Sequence, residues 1–182
     1  MHVRTKQLAF LGLLAAVVSL IIVLASVLET NTLFLLAAAA YLVGIAIREC
    51  GLRLGFGFFV ACILLGFLVS PNKLYVLTYL GFSLYIVWDE ALYRVLSGAR
   101  FQRCRRAVFF FAKLLFFNLL YIPVLFLFPQ VLFVKTLSMQ VLLILLAGGQ
   151  LGWWIYDKAY FYFQVTVWGK LRQRIPLFRD LS

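Results

Sequence analysis

An all-α membrane protein, a bundle of six transmembrane helices, is the fold that the 182-residue sequence predicts, and three observations predict it. Hydrophobic residues make up 65% of the chain and the mean hydropathy is +1.04, a composition whose natural solvent is lipid. The apolar residues come in six runs, at about 8–28, 33–47, 54–69, 74–88, 107–128 and 137–156. The cations sort to alternate connections, as Lys and Arg do in the cytoplasmic loops of membrane proteins. A spanning helix needs about 20 apolar residues, so six crossings take up most of the chain. Residues 1–182 are expected to form a single transmembrane domain.

Run one has a basic start, "VRTK", ahead of apolar residues ending "VLASVLE", the order of a secretory signal. It is longer than the 7 to 15 residues usual for the apolar core of a signal, so helix one is expected to be permanent. Runs two, three and four are short for a full crossing and are joined by few polar residues, which leaves room for one to be tilted, broken or re-entrant. With the N-terminus inside, the cytoplasmic segments hold Arg4 and Lys6; Arg48 and Arg53; Arg94, Arg100, Arg103, Arg105 and Arg106; and Lys158, Lys170, Arg172, Arg174 and Arg179. Those are fourteen of the seventeen cations; the outer loops hold Lys73 and Lys135, and Lys113 lies within run five. Such a split is the mark of an even number of crossings, with both termini cytoplasmic. In run five, Pro123 is expected to kink or end part of the helix. Past run six, the segment 159–182 mixes aromatic and basic side chains in "YFYFQVTVWGKLRQRIPLF", as an amphipathic stretch at the inner membrane surface does. Contact with a cytoplasmic partner is the alternative for that segment.

The net charge of +11 is explained by this orientation and by attraction to anionic membrane lipids; no nucleic-acid-binding module fits. Cys50 and Cys104 fall on the reducing side and Cys62 lies within run three, so no structural disulfide is expected. The only histidine is His2, and no Cys, His, Asp or Glu pair has ligand spacing within the membrane, so neither metal nor cofactor is expected. Intramembrane catalysis requires a nucleophile with a base, or clustered His and carboxylates. Ser19, Ser26 and Ser83 have no histidine partner, and the six acids, Glu29, Glu49, Asp89, Glu90, Asp157 and Asp180, stand at or beyond helix ends. No enzyme is expected.

Small residues at four-residue spacing let helix backbones approach closely in lipid. Gly148 and Gly152 form a GxxxG on helix six, and Cys62 and Gly66 form a small stripe on helix three. On helix one Gly12 and Ala16, joined by Ala9 and Ser19, form a small stripe that serves either internal packing or the docking of another membrane protein. Run five is an apolar stretch that keeps an ammonium and a carboxamide. At 1.5 Å per residue, Lys113 stands roughly 10 Å and Asn118 roughly 18 Å from Arg106 at the cytoplasmic end. A lysine at the bilayer centre costs about 2.5 to 3.5 kcal/mol on the insertion scale, but at this depth it reaches an acid at a neighbouring helix end. Lys113 is therefore expected to pair with at least one of Asp89, Glu90 and Asp157, as a structural ion pair. Asn118, nearer the middle, either bonds across to another helix or lines a polar cavity opening outward.

The stretches "RTKQLAFLGLLAA", "GFLVSPNKLYVLTYLGFSLY", "KLLFFNL" and "WWIYDKA" with a basic tail resemble an uncharacterised clostridial-type branch of the S-components of energy-coupling factor (ECF) transporters. Six spans in about 180 residues and both termini inside agree with that resemblance, as does the absence of a GxxxxGK[ST] phosphate loop. On helix one the usual AxxxA of such proteins is here the GxxxA of Gly12 and Ala16. The resemblance implies a bacterial plasma-membrane subunit that binds a vitamin or related micronutrient in the outward half of the bundle. It implies docking through helix one, at Ala9, Gly12 and Ala16, on a transmembrane coupling protein driven by two cytoplasmic ATPases. For such a ligand the candidate contacts are the outer polar groups: Glu29, Thr30, Asn31 and Thr32; Asn72 and Lys73; Asn118; and Tyr75, Tyr79 and Tyr121. Turn chemistry and the preference of tyrosine for membrane interfaces account for the same residues without a ligand. A rival from another class is a scaffold that performs no transport and recruits envelope-assembly proteins through its packing stripes.

Overall fold

The computed structural model describes residues 2–98, 105–127 and 139–174, and its elements are all helical. In chain order they are α1 (His2–Val27), a short 3-10 turn (Glu29–Asn31), α2 (Thr32–Cys50), α3 (Leu52–Val69), α4 (Lys73–Gly98), α5 (Arg105–Leu127), α6 (Met139–Tyr162), a π-helical stretch (Phe163–Trp168) and α7 (Gly169–Arg174). Four helical segments are long and apolar enough to cross a membrane: Thr5–Val27, Thr32–Cys50, Leu52–Val69 and Ala107–Leu125. The protein is thus an α-helical membrane protein with six long helices among the described residues. α4, expected as a span at 74–88, is less apolar than the other long helices, and α6, expected as a span at 137–156, is as apolar overall as α1 and α5 but carries polar residues in its second half. Asp89, Glu90, Tyr75, Tyr79, Tyr85 and Tyr93 dilute α4, and Gln150, Asp157 and the glycines at 148, 149 and 152 dilute α6.

Helix boundaries differ from the apolar runs because a helix does not stop where its side chains turn polar. α4 continues past 88 to Gly98, and α6 continues past 156 to Tyr162 and through the π-helical stretch into α7. The segment expected to begin at 159 therefore starts as a continuation of α6, and its residues 175–182 lie outside the described part, as do the end of run five and the start of run six. Pro123 sits inside α5, which runs on to Leu127; the helix does not end at the proline.

The chain divides into two compact units, 1–95 with 162–182, and 96–161. In the first, α1 packs on α2 and α3, and α2 packs on α3. α1 contributes one stripe at helical spacing, Leu11, Leu14, Val18, Ile22 and Ala25, all buried. α2 and α3 are joined by a single residue, Gly51, whose φ of 87° lies in the left-handed region that a side chain disfavours. Its N–H donates to Ile47 O at 3.0 Å, closing α2, and its carbonyl accepts from Gly55 N–H at 2.9 Å, opening α3. So tight a reversal brings α3 against α2 at once, and Gly55 lies so close to Ile47 that a methyl there would collide with it. At the other end of these helices the chain turns again. Thr32 Oγ1 donates to Ala25 O at 3.1 Å and Leu28 O at 3.2 Å, tying the start of α2 to the end of α1.

The second unit holds the antiparallel pair α5 and α6. Phe117 stacks on Tyr121 (5.2 Å between centroids) and on Trp153 (5.9 Å), and Phe110 meets Trp153 edge-on at 5.6 Å. The Tyr121 ring lies against Gly149 so closely that a side chain there would overlap it.

Candidate functional site

Along α5 and α6 three polar contacts follow one another. Lys113 Nζ donates to Asp157 Oδ1 at 2.7 Å, with the lysine side chain 9% and the aspartate 22% exposed. The same ammonium stands 4.3 Å from the centre of the Phe109 ring, where the π face favours a cation. Farther along α5, Asn118 Nδ2 donates to Leu114 O at 2.9 Å, and Gln150 Nε2 donates to Asn118 Oδ1 at 2.6 Å. Last, the Tyr121 hydroxyl donates to Leu145 O at 2.8 Å. The partner positions fall on α6 as those on α5 rise, from 157 through 150 to 145, as an antiparallel pair requires. Of the two fates open to Asn118, the geometry has the cross-helix bond. Of the three acids considered for Lys113, Asp157 is in contact with it.

A second polar cluster gathers at one end of the first unit. Arg48 Nε donates to Glu90 Oε1 at 2.6 Å, with Glu90 buried, and Arg94 Nη2 donates to Ile47 O at 2.6 Å. These two arginines fasten α4 to the end of α2. Glu49 accepts from Trp168 Nε1 at 2.9 Å and lies 3.4 Å from Arg172 Nε. Gln164 Nε2 donates to Tyr41 O at 3.3 Å, Phe163 stacks near Tyr41 at 5.4 Å, and Trp168 lies 6.3 Å from Phe10 of α1. The π-helical stretch thus turns Gln164 and Trp168 inward onto α2, where both are buried. Its outer side keeps Val165, Val167 and Leu171 exposed beside Lys170 and Arg172, an amphipathic arrangement. Lys6 and Arg53, both exposed, stand at this same end of the unit. Among the described residues of the unit, Lys73 is the cation of the opposite end.

At that opposite end the turn residues considered as ligand contacts are engaged in shaping the turns. Asn72 Oδ1 accepts from Leu74 N–H at 3.0 Å, which opens α4. Lys73 Nζ donates to Ser70 O at 2.9 Å and to Phe67 O, so the ammonium closes the carbonyl end of α3. Glu29 and Asn31 bound the 3-10 turn between α1 and α2, with Thr30 and Asn31 exposed. Tyr79 is fully buried with its hydroxyl beside the Cys62 thiol, though not in hydrogen-bonding geometry. The fold brings Glu29, Asn31, Asn72 and Lys73 to one end of the first unit, whereas Asn118 and Tyr121 belong to the second.

On α1 the small residues face away from the packed stripe: Ala9, Gly12 and Ala16 are exposed, and a Cβ built on Gly12 meets nothing within 4 Å. Gly66, by contrast, is buried against Val76 and Ile22, so the stripe on α3 serves internal packing. Cys50 and Cys62 are free thiols. Among the described residues no group of three His, Cys, Asp or Glu side chains is placed to hold a metal ion.

Glu49, Gln150, Trp153 and Gln164 do not stand out in the sequence as site residues. Gln150 carries a signal all the same, since a carboxamide inside an apolar run raises the question that Asn118 raises. Glu49 and Gln164 carry none, because a polar residue near a helix end is ordinary. Fold and contacts together define a helical membrane protein whose α5 and α6 are joined by polar side chains. Beyond that class, no protein-family model, no characterised protein and no solved structure matches the chain.

Proposed function

We propose that the chain is the substrate-binding membrane subunit of an ECF-type uptake transporter. It crosses the bacterial plasma membrane six times with both ends cytoplasmic, and docks through α1 on a coupling protein served by two ATPases. The observation that carries this reading is the open small-residue face of α1. Ala9, Gly12 and Ala16 form a shallow, methyl-sized surface on the side of α1 turned away from α2 and α3, and in lipid such a surface favours a closely approaching helix. The gathering of Lys6, Arg48, Arg53, Arg94, Lys170 and Arg172 at one end of the first unit supports the orientation.

The test is affinity capture of the tagged chain from its native membrane. The expected catch is an integral membrane protein together with paired phosphate-loop ATPases. Gly12→Leu, whose Cβ would meet nothing within 4 Å, should leave folding intact and abolish the catch. Wild-type chain that comes down without ATPases, in the presence of the solutes the cell imports, would falsify the reading.

The scaffold reading keeps the same docking face and removes the solute. It is favoured by the way Asn72, Lys73, Asn118 and Tyr121 direct their polar groups to partners within the chain. Capture of envelope-assembly proteins without ATPases, and no uptake phenotype on deletion, would select it.

A further inference from the structure

The stretch that follows α6 runs beside α2, and it does so in step. Phe163 and Gln164 meet α2 at Tyr41, where the two rings stand 5.4 Å apart and Gln164 Nε2 donates to Tyr41 O at 3.3 Å. Trp168 and Arg172 meet it at Glu49. Eight residues of α2 are thus matched by eight of the stretch, about 12 Å of helix rise in the same direction. A helix lying across the end of α2 would touch it at one level only. The π-helical turns maintain this contact. Phe163 and Trp168 are five residues apart, about 140° around an α-helix, whereas i→i+5 bonding brings such positions toward one face. Both rings lie against the helices of the first unit, Phe163 at Tyr41 of α2 and Trp168 at Phe10 of α1.

α2 is long and apolar enough to cross the membrane, and Tyr41 lies near its middle. Gln164 therefore stands about 13 Å of helix rise from the Cys50 end of α2. The side chains agree with that depth. Residues 159–169 carry no charge, and their outer side exposes Phe161, Tyr162, Val165 and Val167. Gln164, the most polar of them, is buried with its amide on Tyr41 O. The cations come only afterwards, with Lys170 and Arg172 exposed near the level of Glu49, where Arg48 and Arg53 flank the Gly51 reversal. A helix lying in the membrane surface carries its cations along one side; here they stand at one end. Exposed apolar side chains suit lipid tails. No acid is exposed at this end among the described residues, which suits lipid phosphates. We propose that residues 159–169 lie in the hydrocarbon of the leaflet on the Arg48 side, against α2, and that Lys170 and Arg172 mark its headgroup boundary. This departs from both expectations for 159–182, a stretch at the membrane surface and a contact with a cytoplasmic partner. A soluble partner, the proposed ATPases included, meets this part of the chain only from Lys170 onward. The placement requires neither the transporter reading nor a particular orientation.

The test uses the full-length chain in lipid nanodiscs. One phospholipid probe carries a diazirine at the end of an acyl chain, near the bilayer centre, and a second carries it on the headgroup. Trypsin cuts after Lys158 and Lys170 and releases the stretch as one peptide, so mass spectrometry of the wild-type chain reads its labelling directly. The chain-end probe is expected to dominate in that peptide. A second measurement places a nitroxide at Phe161→Cys, Val165→Cys, Val167→Cys or Leu171→Cys, with Cys50, Cys62 and Cys104 replaced by alanine. Relaxation by O2 against that by a nickel chelate gives the depth of each. Depth should fall steadily from 161 to 171, by about 15 Å for ten residues of helix. Level depths across the four positions, at about 5–10 Å, would overturn the proposal in favour of a helix lying in the surface. Nickel access at 165 and 167 as high as at Gln173→Cys would overturn it in favour of a stretch that stands in water. Headgroup labelling of the wild-type peptide equal to chain-end labelling would reject it without reliance on any variant. Failure of the ATPase capture leaves all of these readings unchanged, so the two proposals fall separately.

Discussion

Two regions of this protein solve the same problem differently. In α1, α2 and α3 the buried surface is apolar and often small, with Val18, Ala25, Ala39, Ala40, Val43 and Ala46 wholly enclosed. Polar contacts there are gathered at the helix ends, in the Arg48–Glu90 pair and the Glu49 cluster. Between α5 and α6 the polar contacts run along the length of the pair, from Lys113–Asp157 through Asn118–Gln150 to Tyr121 and Leu145 O. Lipid tails are as apolar as leucine, so burying apolar side chains does not by itself hold helices together in a bilayer. Either the backbones approach closely enough for dense van der Waals contact, or side chains bond across. The first region uses close approach and the second uses bonds, and the two should therefore fail under different substitutions.

The largest effect is expected at Asp157. Asp157→Ala removes the carboxylate that stands 2.7 Å from the Lys113 ammonium, itself 7% exposed. Breaking a buried pair in this way costs about 3–5 kcal/mol, and the partial exposure of Asp157 points to the lower end. Lys113→Met should cost less, because the Asp157 side chain is the more exposed member of the pair, 22% against 9%. The double variant Lys113→Met with Asp157→Leu should recover most of the loss. Reversible unfolding in mixed micelles gives all three values. A double variant no better than Asp157→Ala would show that the pair does more than satisfy two charges.

Close approach predicts a contrast within one helix. Gly55→Leu drives a side chain into Ile47 and should cost about 1–3 kcal/mol as an overpacked contact. Gly57→Leu, two residues along α3, places a Cβ with nothing within 4 Å and should change stability by less than about 0.5 kcal/mol. Equal losses at both positions would mean that helix propensity, and not the approach of α3 to α2, sets the effect.

These contrasts also mark what the sequence can carry. Depth along a helix is a matter of counting residues, so the sequence alone sets Lys113 level with acids at helix ends. Which acid it meets depends on which helix lies beside α5, and periodicity in a single chain holds no such information. The residues of "SPNK" are open to two uses by composition, and only the positions of Leu74 N–H and Ser70 O show them engaged in the turn. The orientation of the small stripe on α1 is equally hidden in the sequence. Ala9, Gly12 and Ala16 and the stripe Leu11, Leu14, Val18 and Ile22 are both plausible packing faces, and only the placement of α2 and α3 separates them. α4 extends to Gly98 because its last turns are held by Arg94 on Ile47 O, a contact between residues 47 positions apart that local composition cannot foretell.

The smallest effect is the sharpest test of the difference between the regions. A cross-helix hydrogen bond in a membrane is worth about 0.6 kcal/mol on average and at most about 1.7, because the separated helices find other partners. A double-mutant cycle with Asn118→Leu, Gln150→Leu and the pair should give a coupling energy in that range. Asn118 keeps its own-helix partner Leu114 O when Gln150 is removed, which favours a small value. Gln150 has no such fallback in α6, and its Oε1 is already without a partner, so Gln150→Leu removes one unsatisfied acceptor along with the bond. Gln150→Leu should therefore cost less stability than Asn118→Leu, which strands the Gln150 Nε2 in apolar surroundings. If Gln150→Leu proves the more damaging of the two, the Oε1 atom is occupied in the folded protein.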